Sequence, residues 1–187
     1  MDRLLTRDDL IRALRAVDER LRRDNVHAEV YIFGGAAMVL GYQSRDATHD
    51  VDSVWEPHSA VLRAAHAVAK EQDLPESWLN EQGSVYLPPG QKRVGAVAFE
   101  GGQVRVIRAN PDVMLAMKVA AFRTGDHPDI VWLAGHLGLD DPDEIIELTE
   151  RVLREPLNED KRLRVRTMFP GSESELRAPK RDLGHEL

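Results

Sequence analysis

The chain has 187 residues, 42% of them apolar and 30% charged, the composition of one ordinary folded domain with room for a single core. Its 25 Lys and Arg against 32 Asp and Glu leave a net charge of −7, the opposite sign to a protein living mainly on nucleic acid. Cysteine is absent, which excludes disulfides, thiolate zinc sites and cysteine nucleophiles, and no apolar run approaches the ~20 residues of a membrane span. The opening residues carry no signal-peptide core, so a cytoplasmic protein with no membrane contact is expected.

Thr6 followed three residues later by Asp9 predicts a helix start, and Leu10, Ile11, Leu14, Val17 and Leu21 continue it at helical spacing to about Asp24. The seven arginines of this opening stretch alternate with acids, which describes a solvated face more readily than a binding patch. Glu29–Phe33 reads as a buried strand that stops at Gly34-Gly35, with a short helix over 36–40 and a polar turn over 41–48. Asp50–Trp55 alternates polar and apolar as a strand does. A helix over 59–72 and a loop-rich stretch over 73–90 follow, the latter holding Trp78 and Leu79 as core residues.

The stretches 94–100 and 103–108 form a strand pair around Gly101-Gly102. Helices are expected from Pro111, over 130–137 and over 144–153; the acids at 140–144 belong to a helix cap rather than to a metal site. Residues 1–157 read as the folded domain. Residues 158–187 read as a charged tail with one weak helix and a mobile end.

The chemistry concentrates between Gly34 and Asp52. Two glycines ending a strand and opening a helix free backbone N–H groups to approach an anion. Asp50 and Asp52, two apart, share a strand face, and their repulsion is relieved by a cation; paired hard oxygens suit Mg²⁺, which also takes phosphate oxygens. By the same alternation His49 points to the other face. Neither piece is specific alone; the order strand, Gly-Gly, short helix, loop, Asp-x-Asp is.

Gly34-Gly35-Ala36-Ala37 with Arg45, Thr48, Asp50 and Asp52 resembles the Gly-Gly-x-Ala and Arg-x-x-Thr-x-Asp-x-Asp block of the nucleotidyltransferase superfamily with the polymerase-β-type fold. The fuller resemblance is to small bacterial and archaeal nucleotidyltransferase-like proteins related to the AbiEii and MenT toxins. Lys118, then Arg123, Asp126, Asp129 and Leu133, resembles that group's lysine helix and following Arg-x-x-Asp-x-x-Asp-x-x-x-Leu; Trp78-Leu79-Asn80 and Leu87-Pro88-Pro89-Gly90 look like its middle. The resemblance covers residues 28–137.

It implies an α/β fold (α+β by stricter usage), a small mixed sheet flanked by helices with a helical C-terminal part. It implies transfer of a nucleoside monophosphate from an NTP to an acceptor, with tRNA expected, and a toxin with a cognate antitoxin. Asp50 and Asp52 would hold Mg²⁺ or Mn²⁺. Gly34, Gly35, Ala36, Arg45 and Thr48 would bind the nucleotide. Lys118 would neutralise phosphate charge, and Asp126 and Asp129 would orient it or add to the acidic site.

Each of these residues has a plainer reading. Lys118 can be a snorkelling lysine on an apolar helix, and Asp126 and Asp129 can be caps around Gly125 and Pro128. Two departures stand out. Ala36 replaces the usual Ser or Thr after the glycines, and Arg105 lies on the strand where a third carboxylate is often found. They leave open a non-catalytic relative that binds a nucleotide or a partner protein. A DNA-binding regulator using the basic run 161–166 is opposed by the net charge.

Overall fold

The structure, a computed structural model, describes residues 3–170. Within it a five-stranded mixed sheet runs in the order β5 (Leu79–Asn80), β4 (Val51–Glu56), β2 (Ala28–Ile32), β7 (Val104–Arg108), β6 (Val97–Glu100). The central strand β2 is antiparallel to β4 and parallel to β7, with Ile32 opposite both Ser53 and Arg108. Its side chains Val30, Tyr31 and Ile32 are buried, so the strand shows the continuous apolar run of a doubly covered sheet. The α+β class implied by the resemblance is the observed one.

Helix α1 (Arg7–Arg23) begins as its sequence dictates. The Asp9 amide donates to Thr6 Oγ1 at 3.3 Å and the Thr6 amide donates to Asp9 Oδ2 at 3.1 Å, a reciprocal cap. Leu10, Ala13, Leu14, Val17 and Leu21 form its buried stripe, and it packs beside α3 (His58–Gln72). Past Gly34 a single α turn, α2 (Gly34–Ala36), widens into a π turn over Ala37–Tyr42 and stops at Gln43 in the left-handed region.

Helix α4 (Pro111–Ala121) is buried continuously from Val113 to Val119. It is the hub of the C-terminal half, meeting α5 (His127–Leu137), α6 (Pro142–Leu153) and α7 (Glu159–Met168). A helix apolar on all sides is stable only when surrounded in this way. Helix α6 opens with the Asp143 amide donating to Asp141 Oδ1 at 2.7 Å, so the acidic cluster there is a cap as expected. Helix α7 docks through buried Val165 and the Arg162–Glu150 ion pair of 2.5 Å. The mobile end expected beyond it lies outside the described residues.

Three features depart from the sequence reading. Leu5–Thr6 (β1) pairs antiparallel with Ala47–Thr48 (β3), tying the start of the chain to the loop before Asp50. The stretch 73–90 contains β5, parallel to β4, and a 3₁₀ turn over Gln82–Tyr86. Strand β6 starts at Val97 and not at Val94. Two-residue strands and single turns are too short to leave a period in the sequence.

Candidate active site

The chain turns from β2 into the glycines just where β4 begins, so the two ends meet. The Phe33 amide donates to the Asp52 carbonyl at 3.0 Å, and Asp52 lies opposite Asn80 of β5. Gly34 follows with φ +63°, and a Cβ built on it would stand 2.8 Å from Asp52 Oδ2. A Cβ on Gly35 would meet Thr48 Oγ1 at 2.3 Å. Both glycines are therefore required for the turn to approach the strand that carries the aspartate.

The cleft between these elements has a volume of about 330 Å³. Gly34, Gly35, Arg45, Thr48, Asp50, Asp52, Lys118 and Asp126 of the expected set line it, as do Phe33, Tyr86, Met114, Met117, Ala121 and Arg123. Asp50 and Asp52 thus share the cleft with the glycine turn. His49 lines it too, contrary to the expectation that it faces away. The reason is that β4 begins at Val51, so strict alternation governs neither residue 49 nor residue 50.

Ala36 lies elsewhere: it is fully buried in the core and its side chain does not line the cleft. Thr48 is buried as well, and its hydroxyl donates to the Asp50 carbonyl at 3.2 Å, which shapes the loop. No β7 residue lines the cleft; Arg105 faces Glu100 at 3.5 Å instead. That strand supplies no third carboxylate.

Lys118 is only 8% exposed, and its ammonium lies 2.6 Å from Asp126 Oδ1 and 2.8 Å from Asp129 Oδ2. Both acids are buried. Asp126 also accepts the Arg123 amide at 3.0 Å, so the capping and the lysine-orienting readings hold together for that one side chain. Asp129 stands behind the lysine and takes Arg45 Nη1 at 3.3 Å, which links Lys118 and Arg45 of the cleft through one carboxylate.

Each aspartate of the pair has one oxygen engaged. Asn80 Nδ2 donates to Asp50 Oδ2 at 2.8 Å, and the Gly83 amide donates to Asp52 Oδ1 at 3.0 Å. A Cβ on Gly83 would come within 2.8 Å of the same carboxylate, so this residue too must be glycine. Burial, and then the neighbouring charge of Asp50, hold the Asp52 carboxyl above the ordinary carboxylate range against the Gly83 amide, Arg123 and Lys118.

The chemistry of this pair fits Mg²⁺, which is commonly held by one or two carboxylates, waters and substrate phosphate. Among the described residues no group of three or more His, Asp or Glu side chains forms a self-sufficient metal site. A cation held by this pair would complete its coordination with waters and with substrate oxygens. Asn80, Gly83 and Tyr86 were not legible as site residues, because they lie in a stretch with no period and no motif chemistry of its own.

For an RNA acceptor the sequence offers Arg45, Lys92, Arg93, Arg105, Arg108, Arg123 and the run 161–166, some of which are expected to ring the cleft; several of them are engaged elsewhere. Arg93 pairs with Glu56, Arg105 with Glu100, Arg164 with Asp160 and Arg166 with Asp143. Arg108 lies over the Tyr42 ring, 4.0 Å from its centroid. Of the seven sequence candidates, counting the 161–166 run as one, only Arg45 and Arg123 line the cleft.

A family model described as "Nucleotidyltransferase of unknown function (DUF6036)" matches residues 8–167. The chain belongs to this family. The match runs past the 28–137 of the sequence resemblance on both sides and takes in α6, all but the first residue of α1 and all but the last residue of α7. In this nucleotidyltransferase family member the helices flanking the sheet are therefore part of the family domain. The toxin relation is not part of that match. No curated protein and no solved structure matches the chain. No helix among the described residues is long and apolar enough to cross a membrane.

Proposed function

We propose that the chain is a metal-dependent nucleotidyltransferase that moves a nucleoside monophosphate from an NTP to an acceptor hydroxyl. The observation that carries this reading is the meeting of Asp50, Asp52, the Gly34–Gly35 turn and Lys118 on one cleft. Asp50 and Asp52 would hold Mg²⁺ or Mn²⁺, which when bound supplies Lewis-acid polarisation of the phosphate that is attacked.

The chain's own groups supply the rest. Side-chain-free Gly34 and Gly35 let the triphosphate lie against backbone. Arg45 and Arg123 offer their guanidinium groups to its oxygens. Lys118, held by two carboxylates, places a fixed positive charge where negative charge builds on the leaving pyrophosphate. Phe33, Met114, Met117 and Ala121 add apolar lining to the cleft.

The acceptor that fits the charge distribution best is a protein or a small molecule. A tRNA acceptor needs a surface that neutralises several phosphates, and among the described residues the cleft offers Arg45, Lys118 and Arg123. A second reading, nucleotide binding without transfer, rests on Ala36 and on the absence of a carboxylate from β7 in the cleft.

One assay separates these readings. The protein is incubated with each α-labelled NTP and Mg²⁺ or Mn²⁺, together with total tRNA, whole-cell protein or small metabolites, beside Asp50→Ala. Label that reaches protein or a small molecule and depends on Asp50 supports the reading. Label on tRNA corrects the acceptor, and NTP binding with no label transferred in any arm leaves the binding module. A toxin role adds growth arrest on expression that Asp50→Ala abolishes.

A further inference from the structure

One short segment holds both aspartates of the cleft. Asn80 lies beside Asp52 in the β4–β5 ladder, yet its side chain reaches the other aspartate. Its Nδ2 donates to Asp50 Oδ2 at 2.8 Å and to the Ser77 carbonyl at 3.2 Å, while its Oδ1 accepts the Gln82 amide at 2.8 Å. These partners fix the orientation of the amide. Turned over, it would set an oxygen against two acceptors and an NH₂ against an N–H. Three residues on, the Gly83 amide takes Asp52 Oδ1.

The result is one oxygen of each carboxylate bound by a neutral donor. Among the described residues, Asp50 Oδ1 and Asp52 Oδ2 accept no hydrogen bond. The neutrality matters. A lysine or arginine bonded to Asp50 would cancel the charge that attracts a divalent cation; an amide directs the carboxylate and leaves its charge intact. The loop does not need the Asp50 bond to hold its shape, because Ser77 and Gln82 already anchor the Asn80 side chain.

We infer that Asn80 is a positioning residue for the metal: by taking Oδ2 of Asp50 it sets which oxygen that carboxylate presents to a divalent cation shared with Asp52. This rests on the metal-dependent reading above, and outer partners of metal ligands commonly contribute ~10-fold or more to affinity.

The test uses Mn²⁺ alone as the probe, with free Mn²⁺ read by electron paramagnetic resonance on the full chain without NTP. Asn80→Ala and Asn80→Ser are compared with wild type and with Asp50→Asn, and thermal melting of the metal-free proteins is followed in parallel. The expected result is an affinity about 10-fold weaker in both Asn80 variants. In turnover, excess metal restores the rate, so the loss sits in the metal requirement and not in the maximal rate.

Wild-type Mn²⁺ affinity in both folded variants overturns the inference. So does a rate loss that no metal concentration repairs, or a wild-type protein whose Mn²⁺ binding ignores Asp50→Asn. If Asn80→Ala does not fold, Asn80→Ser decides alone. Mn²⁺ binding that depends on Asn80 in a protein that transfers no nucleotide upholds the inference and removes the enzymatic reading.

Discussion

Asp52 is costly where it stands. Burial and the charge of Asp50 raise its carboxyl above the range it has in the unfolded chain. A carboxyl whose folded pKa is raised costs nothing below its unfolded pKa. The cost grows as the pH rises through the folded value and is complete above it. Asp52→Asn, which keeps the acceptor for the Gly83 amide, is therefore expected to melt higher than wild type at neutral pH without metal. The two should converge as the pH falls into the ordinary carboxylate range, and Mg²⁺ should narrow the gap by stabilising only the wild type. Thermal melts across pH with and without Mg²⁺ check this.

Lys118 shows the opposite balance. It is satisfied in place by Asp126 and Asp129, and Lys118→Met leaves buried Asp126 without its ion-pair partner and buried Asp129 with Arg45. Breaking such a cluster costs about 3–5 kcal/mol, which urea denaturation reads. Asp126 and Asp129 were legible in the sequence as one of two things, cap or partner. The buried geometry makes Asp126 both, and that could not be read from residue type. Ala36 is the reverse case. Its place in the motif pointed to the nucleotide, but the turn that opens at Gly34 sends its side chain into the core.

At the scale of elements, the β6–β7 hairpin is held by a residue from another part of the chain. Asp18 of α1 accepts the amides of Gln103 at 2.6 Å and Val104 at 2.8 Å, and a Cβ on Gly101 would stand 2.3 Å from its Oδ1. Burial opposes its charge, but the amides of Gln103, Val104 and Gly102 outweigh burial and lower the carboxyl from its usual value. The stability this adds is present above the unfolded carboxylate pKa and is lost as the pH falls through the folded one. Asp18→Ala is expected to cost about 1.5–3 kcal/mol near neutrality, the worth of hydrogen bonds to a charged group. The deficit should shrink in acid; urea titrations at two pH values check it.

The hairpin itself was legible in Gly101-Gly102, and so were α1, α3, α4 and the pairing of strand, glycines and Asp-x-Asp. The elements that escaped are β1, β3, β5 and the 3₁₀ turn. Each is short and is formed because something else packs against it. Gly83 belongs to the same group, and Gly83→Ala is expected to cost about 1–3 kcal/mol by overpacking against Asp52. Thermal melting measures it. The same change should also weaken Mg²⁺ binding, since it displaces the carboxylate.

For the whole molecule the question is what the net charge of −7 permits. The basic run 161–166 reads in sequence as a ready-made patch. In the structure Arg162 is spent on Glu150, Arg164 on Asp160 and Arg166 on Asp143. Ion pairing within the domain thus engages three of the four basic residues of the run. Binding of tRNA should be weak at physiological salt, with a salt slope that reports no more than about three neutralised phosphates. Filter binding across a salt series measures this, and a steeper slope returns RNA to the front as acceptor.

The sequence by itself determined the class of the fold, the cleft-forming order of strand, Gly-Gly and Asp-x-Asp, and the lysine helix with its two acids. The order of strand, glycines and aspartates is a property of near neighbours along the chain, periodicity and turn glycines; the fold class and the lysine helix with its acids are what the family resemblance implies. Only the tertiary structure decided that Asn80 and Gly83 hold the two aspartates, that Ala36 leaves the cleft and His49 enters it, and that Arg162, Arg164 and Arg166 are already paired. The first of those outcomes depends on residues 30 and 31 positions apart coming within hydrogen-bond reach, Asn80 with Asp50 and Gly83 with Asp52. Packing fixes such contacts, and no local pattern encodes them.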